Sequence, residues 1–459
     1  MATKTEFASK IGLIAATVGS AIGLGNVWRF PAETQANGGA AFLLIYVVCV
    51  LLLGVPMMLG EFALGRGGRS DAIGVFRRLS PGSRWWIVGA GGILSSYLIL
   101  IFYMVVAGWT LEYLVASAGG WLYSSPEPAM VTGATGEADH ARYTSVMELL
   151  LTDVWRPLIA TWAVIALNVV ILLRGVQKGI ERLSNVLMPL LFLILIGLCV
   201  VAFTLPGAAD GLQFFLSPDF SKITPRVVVN ALGQTFFSLS LGMGILITYA
   251  SYYPADTRLT KTAMTVALLS LLVALLMGCV IFPAVKTFGL ENESMKGATL
   301  IFVTLPEVFG RLPLSQLWSS LFFVLLLVAA VTSTVSIAEV TIAFLADTFG
   351  MKRRNAVLMC LLPLFVLSAV CSLSMGVLRD YTLFGLNLFD LLDTFATNIL
   401  LPVVAIGTCL YVGWFGPRRL LQSQISNRGV LRSGVAGVVV FILRWVAPIC
   451  IAMILVGSL

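Results

Sequence analysis

Apolar runs of about 20 residues recur from one end of the chain to the other, and each is long enough to cross a bilayer as a helix. Eleven are read: 11–33, 40–65, 86–116, 157–173, 183–205, 227–252, 261–288, 315–346, 355–373, 387–413 and 433–457. Lipid offers backbone amides no partner, so these runs fold as helices and not as an open sheet. An all-α integral membrane protein follows. The composition agrees: 59% of residues are apolar and 11% charged, too few charges for a soluble domain. The first run follows the polar stretch MATKTEFASK with no small-residue cleavage site, which marks a span and not a signal peptide.

Basic residues cluster on alternate connections. Lys4 and Lys10, the group Arg66 to Arg84, the group Arg174 to Arg182, Lys352 to Arg354, and Arg418 to Arg432 lie on one side. By the positive-inside rule that side is the cytoplasm, so the chain sits in the cell inner (plasma) membrane with its amino terminus inside. An odd number of spans puts the carboxyl terminus outside. The net charge of +7 is mostly this collar and calls for no nucleic acid. The seven cysteines match no disulfide framework or zinc spacing, and the one histidine, His140, lies in a polar loop. Paired catalytic groups are absent from the spans, so the protein is read as no enzyme. A channel would show a continuous polar helix face, and these helices are apolar all round.

Two spans depart from that pattern. The first carries GSAIGLGNVWRFP, with three glycines, an asparagine, an arginine and a proline near mid-membrane. The sixth carries SLSLGMG. They open two sets of five spans, 1–205 and 227–413, separated by an outer connecting loop at 206–226 and followed by an inner loop and an eleventh helix at 414–459. Five is odd, so the sets face opposite ways. Interrupted segments at matching places in two inverted halves point to a transporter site at mid-membrane. Glycine weakens helix interiors. Unwinding at Ile22–Leu24 would bare carbonyls for a small cation and start a new helix near Gly25 that favours a carboxylate. A break at Ser238–Gly242 would offer facing carbonyls to an ammonium group. A zwitterion and a metal cation satisfy both.

The stretch GSAIGLGNVWRFP, followed by NGGAAF, GVPMMLGEFALGR, RGVQKGIER, GQTFFSLSLGMGILITYASY, VTSTVSIAEVTIAFLAD and FDLLDTFATNILLP, resembles the neurotransmitter:sodium symporters, in particular bacterial amino-acid transporters of eleven spans. The resemblance implies sodium-coupled symport of a neutral amino acid by alternating access, with lipid as the other partner. It implies a first sodium site from Ala21, Asn26, Ser238 and Ser270, where the family has Asn or Asp at the last position. It implies a second from Gly19, Ile22, Ala329, Thr332 and Ser333. The substrate carboxylate would meet Leu24, Gly25 and Tyr103; its ammonium would meet carbonyls of Ala21 and Phe237 and the region of Ser240. Ser20, Gly23, Ile99, Met243, Ser333 and Ile337 complete the pocket with Phe237 and Ser238. No charge lines it, so a large apolar or aromatic L-amino acid is expected. The alternatives are glycine, proline, betaine or a similar small substrate, or a sensor that binds without transporting.

The resemblance also implies an outer gate pair, Arg29 and Asp393, and an inner pair, Lys4 and Asp347. The family more often has Arg at the fourth position and Trp where this chain has Phe7. Gly179 and Pro189, ten apart, mark a segment that unwinds in some relatives. With no acid at Ser270 or Ala274, the residues Tyr46, Gln234, Ser238 and Ser270 form a candidate chloride cage.

Overall fold

The computed structural model describes residues 6–124, 137–290, 299–417, 419–430 and 434–458. Among these, β-type pairing amounts to one isolated bridge, Leu383 to Leu386. Nine helices among the described residues are long and apolar enough to cross a membrane, ten if a bent pair is counted as one span. The bent pair is α1, Lys10–Ala21, and α2, Gly25–Ala36, inclined at 53°. There follow α3 (Ala40–Gly68), α4 (Trp86–Ala118), α5 (Trp155–Leu173) and α6 (Val176–Phe203). The expected sixth run is two short helices, α7 (Pro225–Ser238) and α8 (Ile245–Ala250), joined by the irregular residues 239–244. The rest are α9 (Leu259–Phe288), α10 (Ser315–Phe349), α11 (Arg353–Leu373), α12 (Leu388–Phe415) and α13 (Ala436–Gly457).

The helix starts follow local chemistry. Ser9 caps α1 through the Gly12 amide, and Thr224 caps α7 through the Val227 amide with Pro225 at the first turn. α6 begins earlier than the expected 183, because a wide turn over Val176–Glu181 continues it back to Gly175, whose φ is +85°. The connecting loop at 206–226 is not plain coil. It holds the helix Ala208–Leu216, anchored by Phe215, which is fully buried against Phe30 and Phe282. A methyl group on Gly278 would lie 2.1 Å from the Phe215 ring, so that helix docks on α9 only because residue 278 lacks a side chain.

Of the nine long apolar helices α10 is the most enclosed, with 83% of its apolar window buried, and it packs along α4, α6 and α1. α13, at 22%, lies on the periphery. The two interruptions therefore meet beside α4 and α10, away from lipid.

Candidate functional site

α1 is regular up to Ala21, and the Ile22 amide still reaches the Val18 carbonyl at 2.7 Å. Ile22 and Gly23 are irregular, and helix resumes at Leu24. The Leu24 amide donates to the Tyr103 hydroxyl of α4 at 2.9 Å. Methyl groups on Gly23 and Gly25 would fall 2.6 Å from Ser333 Oγ and 2.6 Å from the Phe237 ring, so both glycines permit close approach of the break to its walls.

The second interruption spans Leu239 to Gly244, a little beyond the expected Ser238–Gly242. Ser240, Gly242 and Gly244 all have positive φ, of 54°, 78° and 72°. Such backbone needs outside support. Ser240 Oγ donates to the Ser20 carbonyl at 2.8 Å, Ser96 donates to the Met243 carbonyl, and the Gly242 amide donates to Glu61 Oε1 at 2.8 Å. Ser96 and Glu61 did not figure among the expected site residues. An acid inside the 29-residue apolar α3 was the available signal, since such residues are costly in a membrane.

Between the interruptions lies a small cavity lined by Ser20, Ala21, Gly23, Gly25, Ile99, Tyr103, Phe237, Ser240, Met243, Ser333 and Ile337. Every one belongs to the expected substrate set. Of that set, Leu24 reaches it only through its bond to Tyr103, and Ser238 lies behind, accepting from the Tyr46 hydroxyl at 2.8 Å. No charged side chain lines the cavity.

The first expected cation set is brought together. Asn26 Nδ2 approaches the Ala21 carbonyl at 3.4 Å and donates to Ser270 Oγ at 2.9 Å, while Asn26 Oδ1 is buried with no partner. A half-turn of the amide exchanges N for O and presents Oδ1 to the same groups, a hard-oxygen arrangement that suits sodium. In the second set, Gly19 faces Thr332: a methyl group on Gly19 would lie 3.4 Å from Thr332 Cβ. Thr332 Oγ1 bonds back to the carbonyls of Val328 and Ala329 at 3.0 and 3.1 Å, so the Ala329 carbonyl is already engaged. Ser333 Oγ is buried without a partner. Of the candidate chloride residues, Gln234 donates to the Gly25 carbonyl at 2.9 Å, leaving its Oε1 unpartnered. Tyr46 gives its proton to Ser238.

Above the cavity an outer vestibule of about 1060 Å³ holds both Arg29 and Asp393 in its wall. They do not form the expected ion pair. Arg29 pairs with Glu33 at 3.9 Å and lies over the Phe237 ring at 4.9 Å. The vestibule stands open between α2 and α12, and Glu33, one turn along α2, offers the nearer carboxylate.

The opposite end is closed. Phe7 is buried edge-on against Tyr249 and Tyr252, and its amide donates to the Tyr252 carbonyl at 3.1 Å. Glu6 pairs with Arg69 at 2.5 Å. Lys10 bonds the exposed Asp256 at 2.9 Å and holds its carboxyl below the usual carboxylate range. Glu181, between Gly179 and Pro189, accepts from the amides of Ala8 and Ser9 at 2.8 and 3.0 Å. Lys4, the expected partner of Asp347, lies outside the described residues.

The sequence profile described as the sodium:neurotransmitter symporter family matches residues 4–127 and 144–459. The chain is 37% identical over 449 residues to an uncharacterised sodium-dependent transporter of Bacillus subtilis, covering 98% of this chain and 96% of that one. It is 30% identical over 450 residues to a sodium-dependent dopamine transporter of Bos taurus, covering 90% of this chain and 63% of that one. The crystal structure of MhsT in complex with L-phenylalanine matches with a TM-score of 0.88 and 38% identity over 100% of both chains. A chain of membrane-crossing helices that matches across nearly its whole length belongs with these transporters: it is a member of the sodium:neurotransmitter symporter family, a sodium-dependent symporter.

Proposed function

We propose that this protein imports neutral L-amino acids with large apolar or aromatic side chains, each carried with two sodium ions. The observation that carries this reading is the uncharged cavity between two interrupted helices, walled by Ile99, Tyr103, Phe237, Met243 and Ile337. Burying a charged side chain there would leave it unpaired, which excludes Lys, Arg, Asp and Glu as guests. The unbranched Met243 adapts to guests of different shape. The L-phenylalanine bound by MhsT supports the same substrate class.

The amino-acid carboxylate takes the Tyr103 hydroxyl and the amides at the start of α2. Its other face completes the first sodium site with Ala21, Asn26, Ser238 and Ser270. The second ion lies between the α1 end, at Gly19 and Ile22, and α10, at Ala329, Thr332 and Ser333. Each sodium entering at −100 mV contributes about 2.3 kcal/mol, roughly a fiftyfold substrate gradient per ion. The open vestibule and sealed inner end suit loading from outside. Closure brings Arg29 from Glu33 to Asp393 over Phe237. Counting α1–α2 and α7–α8 as single crossings gives eleven spans in two inverted sets of five, with the basic side in the cytoplasm.

A thermal-shift series with each of the twenty amino acids and betaine, in sodium and in potassium chloride, tests the reading. Phenylalanine, tryptophan, leucine or methionine should stabilise the protein in sodium only. A ligand at 100 times its Kd adds about 2.7 kcal/mol. Equal shifts in potassium, or shifts only with glycine, proline or betaine, reject the assignment. Uptake into proteoliposomes separates a transporter from a sensor.

A chloride ion beside the first sodium, held by Tyr46, Gln234, Ser238 and Ser270, is the second proposal. It balances sodium in a region where the expected acid is replaced by Ser270, which is fully buried. Replacing chloride by gluconate at constant sodium should lower substrate affinity; an unchanged affinity removes chloride from the cycle.

A further inference from the structure

Glu61 lies deep inside α3 and is fully buried, and transport as proposed above assigns it no ligand. Its Oε1 accepts the Gly242 amide at 2.8 Å, while Oε2 is buried and has no partner. The carboxyl faces a narrow slit with no room for a water-sized sphere. Besides Glu61, Thr408 of α12 is the lining residue with a polar side chain; the rest are alanine, glycine, valine, isoleucine and phenylalanine. The Thr408 hydroxyl is likewise buried and without a partner.

The titratable groups on the surrounding elements are turned to other partners. Asp71 caps the Ile73 and Gly74 amides, and Arg78 bonds the carbonyls of Gly68 and Arg69. Arg77 stacks on Trp86, and Arg66 of α3 is held by Gln424 and the Thr257 carbonyl. Tyr97 bonds the Cys360 carbonyl, Tyr249 bonds Ser336, and Arg444 bonds the Gly413 carbonyl. Cys409 directs its thiol to Met57, and Lys261 of α9 is exposed. Among the described residues no cation bonds Oε2, and the slit leaves no room for a water beside it. An ionised carboxylate with a single amide donor would lose its hydration with little in return, a cost that such a group avoids by taking up a proton.

We propose that Glu61 and Thr408 form a buried proton-binding site that props the second interruption. Glu61 binds one proton from solvent on Oε2 and, after a turn of the Thr408 side chain, donates it to Oγ1. Oε1 continues to hold the Gly242 amide. Gly242 has a φ of +78° and lies between Ser240 and Met243, both in the cavity wall, so the proton and the shape of the pocket are linked. Losing the proton leaves a bare charge in a dry slit, which favours any rearrangement of residues 239–244 that admits water. The protonated form is the one competent to bind, and competence falls as pH rises through the site's pKa.

The test uses the full-length protein in lipid nanodiscs. Its infrared spectrum at neutral pH should contain the carbonyl band of a protonated carboxylic acid that is missing in Glu61→Gln and displaced in Thr408→Val. Glutamine keeps an acceptor for Gly242 and a donor for Thr408. L-Phenylalanine binding in sodium should therefore survive in Glu61→Gln and become independent of pH, while wild-type affinity drops about tenfold for each pH unit above the site's pKa. A wild-type spectrum without such a band, a band that persists in Glu61→Gln and ignores Thr408→Val, or a Glu61→Gln protein with the wild-type pH slope overturns the proposal. The binding arm rests on the amino-acid reading above. The band reports the proton directly, so a band without L-phenylalanine binding upholds the proton site and rejects only that substrate.

Discussion

Replacing Asn26 by leucine should abolish sodium-dependent uptake while the protein still folds. Leucine keeps the branching of asparagine and is at home in a site that is fully buried. What disappears is the amide that touches the Ala21 carbonyl and Ser270, and with it the unpartnered Oδ1. An interaction with a charged partner contributes about 1.5–3 kcal/mol, so the sodium needed for half-maximal L-phenylalanine binding should rise roughly 10- to 150-fold. A sodium titration of binding measures this. An unchanged half-saturating concentration would place the ion elsewhere.

Replacing Gly23 by alanine should have an effect of similar size on the substrate. The added methyl would lie 2.6 Å from Ser333 Oγ and 2.8 Å from the Tyr103 hydroxyl. Tyr103 cannot retreat freely, because its ring is buried in α4 and its oxygen accepts the Leu24 amide. Relieving the clash moves Ser333 and the tyrosine together, and with the tyrosine both the carboxylate partner and the support of the broken end are lost. Overpacking of this kind costs about 1–3 kcal/mol, or roughly 5- to 150-fold in substrate affinity. Sodium binding at the first site in the absence of substrate should change much less, because Asn26 and Ser270 are untouched. Competition binding with labelled L-phenylalanine, alongside size-exclusion chromatography to confirm folding, reads the outcome. Wild-type affinity in Gly23→Ala would remove Gly23 from the substrate wall.

Much of the candidate site was legible before any coordinates, and for a local reason. Gly23, Gly25, Gly242 and Gly244 mark places where the backbone leaves regular winding, because glycine lowers the cost of leaving it. The residues of the cavity wall on other spans, Ile99, Tyr103, Ser333 and Ile337, were expected only from the family resemblance. What escaped were the partners reached across space. Glu61 stood in a quoted motif, yet nothing near it in sequence shows that it holds the Gly242 amide, 181 residues away. Ser96 and the Met243 carbonyl are 147 apart. Gln234 was read as a chloride ligand, and in the structure it ties the Gly25 carbonyl.

The gates show the same division. Sequence puts Arg29 and Asp393 at the outer end, but the distance between α2 and α12 decides whether they meet. In this conformation Glu33 wins because it lies on the same helix, one turn along.

The sequence by itself determined the class of the protein, the placement of its helices and the two points where they fail, because hydropathy and glycine act on the chain locally. Only the tertiary structure decided which groups prop the irregular backbone and which carboxylate takes the arginine. It also showed that a buried acid and a buried hydroxyl face one dry slit. Those outcomes depend on contacts between helices distant in sequence, where a shift of an ångström makes or removes a hydrogen bond.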